Sequence, residues 1–231
     1  PSWSEARSLV TPMHIAFDPA ELGPEACHKL TIGTVVPRPI AWTSSVNAEG
    51  RVNLAPFSYF MACHSYVPAL ALSIGSRAGR PKDSRANIAA TGEFVVNLVN
   101  PDLLPAMNLS AADFPPDVSE PEAAGVAMLP SVKVRPPRVK DSPIQIECRV
   151  LHALDLGEPP RVSTLFVGQI LMWHIREDLV SADHKVDQAA LQAVARMGGP
   201  YYTVARDPFA LHIPDWRQVL PEHPQAGGAG Q

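Results

Sequence analysis

Twenty-five of the 231 residues are proline, and their placement limits what this chain can fold into more than any other feature. An interior proline removes a helical hydrogen bond and its ring clashes with the preceding turn. Long helices cannot carry that load. The prolines fall between apolar runs, in Pro37-Arg38-Pro39, Phe114–Val118, Val134–Val139 and Glu158-Pro159-Pro160, which reads as a β-rich chain with stiff connections. Residues 69–75 (ALALSIG) form a short apolar run of the kind found in buried strands. Glu93–Val99 is rich in β-branched residues that favour strand, and 142–157 and 162–175 are longer candidates. Residues 30–36 and 39–46 are further apolar runs, and Asn47–Gly50 is turn-forming and leads into RVNLAPFSYFMA. Asp83 or Ser84 is expected to cap a helix running to Thr91, with Gly92 as its stop. Other short helices are expected within 18–30, within the proline-rich, acidic stretch 100–130, and near 187–196. Regular strand–helix–strand alternation is missing. The fold expected is therefore mainly β with short helices, one closed or nearly closed antiparallel barrel. An N-terminal arm (1–17), a barrel domain (18–213) and a flexible C-terminal tail (214–231) are the expected divisions.

Several functions are disfavoured. With a formal net charge of −4 and no basic stripe, nucleic acid is not an expected partner. No apolar run reaches the roughly 18 residues of a membrane helix, and the opening residues lack a basic segment followed by an apolar one. Cys27, Cys63 and Cys148 are odd in number and widely spaced, which argues against a disulfide framework and for a reducing compartment; a cytoplasmic location is expected. The chain has no glycine-rich dinucleotide fingerprint or phosphate-cradling loop, no paired-cysteine or HExxH metal site, and no nucleophile elbow.

Arg80 and Lys82 lie just before the helix expected at Asp83. A helix start presents free N–H groups and partial positive charge, so two cations beside it suit a phosphate; a solvated loop fits the same residues. Thr43, Ser44 and Ser45, with Asn53 through Tyr59, combine small hydroxyls, aromatics and an Asn-Leu-Ala-Pro break. They suit the lip of a pocket for a flat ring, and equally an ordinary hairpin. His174 ends a candidate strand, the Asp183-His184 pair reads as a loop, and Cys63 on an apolar run reads as buried and inert, with a reactive thiol as the rival.

Taken in order, residues 37–60 (PRPIAWTSSVNAEGRVNLAPFSYF), ALSIGSR, KDSRANI, TGEFVVNLV, AMNLS, PPRVKDSPIQIECRV and ARMGGPYYT resemble the flavin reductase-like FMN-binding split-barrel family. That family includes flavoredoxins and the reductase partners of two-component flavin monooxygenases. The likeness spans roughly residues 28–204. It implies an antiparallel split β-barrel, FMN as cofactor, NADH or NADPH as electron donor, and a homodimer with flavin sites between subunits. It also implies a flavin-dependent monooxygenase or an electron-transfer protein as partner. Thr43, Ser44 and Ser45 match the segment lining the ring and ribityl chain, and Asn53, Ala55, Pro56, Phe57, Ser58 and Tyr59 the segment along the isoalloxazine. Ser73 and Gly75 match the turn near the phosphate, and Lys82 and Ser84 the phosphate clasp. Asn108 and Tyr201 match positions near the flavin, contributed across the dimer. Where the family often has small serines, this chain has Cys63-His64-Ser65-Tyr66, which makes His64, with His174, a candidate proton donor. The activity expected is NAD(P)H:flavin reductase; an electron carrier, or an FMN-dependent enzyme acting on a small organic substrate, are the alternatives.

Overall fold

The computed structural model describes residues 13–216 apart from Ser65, Ala78, Pro116 and Asp117; 1–12 of the expected arm and 217–231 of the expected tail lie outside the described residues. Seven strands form the main sheet: β1 (Ala41–Val46), β2 (Val52–Phe57), β3 (Phe60–His64), β4 (Ala69–Ile74), β5 (Glu93–Asn97), β6 (Ile144–Leu156) and β7 (Ser163–Ile175). Their order is β2-β1-β5-β6-β7-β4-β3, and every neighbouring pair is antiparallel. The edge strands β2 and β3 are consecutive in the chain, separated only by Ser58 and Tyr59. The sheet curls so that its two edge strands adjoin at that bend, and Ser73 N–H of β4 donates to the Tyr59 carbonyl at 2.9 Å, extending the β3–β4 ladder into it. This is the half-open, split barrel expected.

Two apolar clusters hold the sheet. Inside the curl, Leu70, Leu72, Phe94, Val96, Ile146 and Phe166 pack together. Close packing there requires Gly168 on β7, since a Cβ at that position would lie 2.6 Å from the Phe94 ring. Behind β1, Ile40, Trp42, Leu54, Met107 and Val194 form a second cluster. Strand β1 is therefore buried on both faces along its whole length, which explains its run of small and apolar residues. Its polar groups are satisfied internally: Trp42 Nε1–H donates to Ser110 Oγ at 2.8 Å. Asn97 donates to the Trp42 carbonyl and accepts from Val139 N–H.

The first helix, α1 (Pro24–Thr34), extends further than expected. The apolar residues 30–34 are its last turns and not a strand. Buried Arg38 holds its end by donating to the carbonyls of Ile32 at 2.7 Å, Val35 at 2.5 Å and Met197 at 3.0 Å. Helix α2 (Asp83–Thr91) ends at Gly92 with φ 70°, as expected of a left-handed stop. Its start differs: Lys82 occupies the N-cap and no side chain caps the first turn. The stretch between β5 and β6 carries α3 (Leu104–Leu109) and α4 (Glu120–Ala123). After β7 come α5 (Gln188–Leu191) and a small sheet joining Arg38–Pro39, Val194–Arg196 and Tyr202–Val204.

Candidate functional site

Where β2 bends into β3, two depressions of about 830 and 420 Å³ share Pro56, Phe57 and Lys82 and so form one groove. The larger is lined by Asn53, Ala55, Arg80 and Ser84 among others, and the smaller by Ser58, Tyr59, Ser73 and Gly75. The fold therefore brings together residues from three separate segments singled out in the sequence, 53–59, 73–75 and 80–84. Strand β2 supplies one wall, and its alternation exposes Ala55 to the groove while Leu54 packs behind. Ser58 Oγ accepts from Arg38 Nε at 3.4 Å, which ties the bend to the end of α1.

Other expected residues lie elsewhere. Thr43, Ser44 and Ser45 are fully buried and their hydroxyls are engaged internally. Thr43 donates to the Ala41 carbonyl, Ser44 to the Pro137 carbonyl, and Ser45 accepts from Asn87 Nδ2. They stand behind the groove wall, because β1 is an inner strand covered on both sides. Asn108 on α3 and Tyr201 are exposed outside the groove lining of this single chain. Cys63 is exposed, not buried; it falls at an irregularity of the edge strand β3 between Ala62 and His64. His64 Nδ1 accepts from the backbone N–H groups of Tyr66 and Val67 and so fastens its own turn. His174 lies toward the opposite end of β7, paired with Gln145, whereas Thr164 near the groove pairs with Ile74. Its Nε2 sits 2.6 Å from Glu147 Oε1. Asp183 of the 183–184 loop is bound to Lys185 and Ser181, in keeping with a structural loop.

The larger depression is strongly charged. Arg77, Arg80, Lys82 and Arg196 line it, against Asp83, Asp113 and Glu120. Arg77 is engaged by Asp113 at 2.8 Å. Lys82, by contrast, has no carboxylate within ion-pair distance among the described residues; its Nζ lies 5.4 Å from the Phe57 ring centre. Crowding by the groove walls, then the neighbouring Arg77, hold the Lys82 pKa below the usual lysine range, with Asp113 opposing. The residue as a whole nonetheless stays exposed. A cation with no ion-pair partner among the described residues, at the uncapped start of a helix, is matched to a bound anion. The apolar wall of Ala55, Pro56 and Phe57 beside it is matched to a flat ring.

Glu120 faces Lys82's end of the groove from the β5–β6 stretch. Burial, and secondarily the charge of Asp83, push its carboxyl above the ordinary range against its backbone hydrogen bonds. Neither Glu120 nor Arg77, Asp113 and Arg196 was picked out from the sequence. Arg77 lay within reach, two residues after Gly75 in the ALSIGSR segment, as did Arg196 in the ARMGGPYYT segment; Asp113 and Glu120 stand in unremarkable local contexts and reach the groove only through the fold.

Residues 32–190 match the model of the flavin reductase like domain. The chain is 42% identical over 206 residues to an uncharacterised protein of Deinococcus radiodurans, covering 86% of this chain and 89% of the relative. Among solved structures, it is similar to nitrilotriacetate monooxygenase component B from Bacillus cereus, with TM-score 0.83, 31% identity, and coverage of 87% and 100%. It is also similar to 2-nitrobenzoate 2-nitroreductase from Pseudomonas fluorescens, with TM-score 0.78, 31% identity, and coverage of 93% and 100%.

Proposed function

The chain belongs to the flavin reductase-like domain family, and from that membership we propose that it is an FMN-binding oxidoreductase reduced by NADH or NADPH. The observation that carries this reading is Lys82, a cation without an ion-pair partner among the described residues, at the uncapped start of α2 and where the two depressions of an apolar-walled groove meet. Lys82, Arg80 and the first-turn N–H groups of α2 would hold the phosphate. Ala55, Pro56 and Phe57 would lie along the ring, with Ser58, Tyr59 and Ser73 beside its polar edge. Bound flavin supplies the two-electron chemistry, accepting hydride from a nicotinamide and passing electrons on. The chain's own contribution is placement: β2 and Arg38 fix the wall, and α2 fixes the anion end. No acid or base at the bend is required, which fits a groove whose lining includes neither His64 nor His174.

The proposal extends to a homodimer. Tyr59, Met61 and Tyr201 expose large apolar surface around and beyond the groove, as a face meant for a second copy would, and Asn108 and Tyr201 would approach the flavin of the other subunit. The likeness to a monooxygenase component supports a role as reductase for a flavin-dependent monooxygenase. The likeness to the nitroreductase, at the same identity, favours a second reading, an FMN-dependent enzyme that reduces a small organic substrate.

Titration with FMN followed by anaerobic addition of NADH and NADPH tests these readings. The first predicts a yellow protein bleached rapidly by one nicotinamide. Bleaching by dithionite alone would replace it with an electron carrier. Failure to take up FMN would overturn both.

A further inference from the structure

The groove contains a hydrogen-bonded chain of side chains in which the flavin reading gives Asn53 and Ser84 a place but leaves Glu120 without a role. In the amide orientation that satisfies both its ends, Asn53 Nδ2 donates to Glu120 Oε1 at 2.8 Å, and its Oδ1 accepts from Ser84 Oγ at 2.6 Å. Asn53 and Ser84 are buried, and all three line the depression that holds Lys82. An ionised carboxylate only accepts, so it turns the amide N–H toward itself and commits the Ser84 hydrogen to Asn53. A protonated carboxyl can donate, and then the amide fits the same positions turned over. Oδ1 faces the acid, Nδ2 donates to Ser84 Oγ across the same 2.6 Å, and the Ser84 hydrogen is released toward the groove.

We propose that Glu120 is a positioning residue that couples phosphate binding to uptake of one proton from solvent, with Asn53 as the relay and Ser84 as the donor it frees. This rests on the reading that FMN binds here. Ionised Glu120 withholds Ser84 and repels a phosphate; protonated Glu120 does neither. The charged groups around it act in the same site. Asp83 of α2 adds negative charge and favours protonation, as does Glu122 of α4 itself. Lys82, the hairpin residues Arg77 and Arg80, and Arg196 oppose it, while Asp113 balances Arg77. Arg51, just ahead of β2, lines a side cleft with Glu120 and Asp83 and also favours the ionised form. An arriving phosphate offsets these cations and so raises the affinity of Glu120 for its proton.

The test is FMN affinity by flavin-fluorescence titration from pH 5 to 8 in wild type, Glu120→Gln and Ser84→Ala, with calorimetry in two buffers of different ionisation enthalpy. Glutamine stands for the neutral acid, so its profile carries only the ionisation of the phosphate itself. Relative to it, wild-type Kd should rise by about fivefold or more across the range, bounded at about tenfold per pH unit for one linked proton. Wild type should take up a proton fraction that Glu120→Gln does not. Ser84→Ala should bind weakly and lose the Glu120-dependent slope, and riboflavin, which lacks the phosphate, should show none. Parallel profiles for wild type and Glu120→Gln overturn the proposal while leaving the flavin site standing. So does a slope that persists with Ser84→Ala or with riboflavin. FMN binding to none of the three proteins overturns the flavin reading itself.

Discussion

Lys82 and Ser84 stand two residues apart in the sequence yet do different work. Lys82 presents charge without an ion-pair partner among the described residues, whereas Ser84 is buried and already bonded to Asn53. Lys82→Ala should weaken FMN binding by about 1.5–3 kcal/mol, the range for a charge-assisted hydrogen bond, with little change in melting temperature because the side chain is exposed. A fluorescence titration checks the affinity and a thermal melt the stability. Asn53→Ala should cost on both counts, since it strips partners from Glu120 and Ser84 together; about 1–3 kcal/mol of stability is expected from an unsatisfied buried group. The cation before the helix was legible because a Lys-Asp-Ser start combines charge with a helix signal. Glu120 was not, since a Ser-Glu-Pro-Glu stretch reads as a solvated turn until the fold lays α4 against β2.

The strands were the legible elements. Both long strands were expected within two residues of where they lie, and α2 within one, because short apolar runs bounded by Gly and Pro have few alternatives. Helix α1 was read too short: the β-branched residues of its last turns favour strand, and their helical state depends on buried Arg38, whose bonds to Met197 span the chain. The hydroxyls of Thr43–Ser45 suit a pocket lip or an ordinary hairpin as sequence, and neither pattern shows that β1 is an inner strand buried on both faces. The interlock of β5 and β7 gives a sharp test. Gly168→Ala would drive a methyl group to within 2.6 Å of the Phe94 ring, and overpacking of this kind costs about 1–3 kcal/mol. A melt several degrees lower with an unchanged oligomeric mass would agree; an unchanged melt would show that the core yields there.

Across the molecule, the stretch between β5 and β6 is fastened from one side and reaches the groove on the other. Glu147, wholly buried on β6, accepts from Val132 N–H at 2.9 Å and Lys133 N–H at 2.5 Å. Burial is the largest single influence on its carboxyl and raises the pKa, but those two bonds together with His174 outweigh it and leave the pKa below the ordinary range. Because the folded pKa is depressed, the stabilisation is complete above the unfolded value of about 4.3 and is lost as pH falls through the folded value. Glu147→Gln should therefore melt below wild type at pH 7, and the gap should narrow below about pH 4; a gap independent of pH would contradict this. The barrel itself was visible in the proline placement and strand count. Its split came from the family resemblance and not from any local pattern, since it depends on a two-residue bend at Ser58–Tyr59. A crystal structure of the protein grown with FMN decides whether the groove is the flavin site. The phosphate should lie within hydrogen-bonding distance of Lys82 Nζ and the first turn of α2, with the ring along Ala55–Phe57. A flavin bound elsewhere, or reversed with its ring at Lys82, would contradict it.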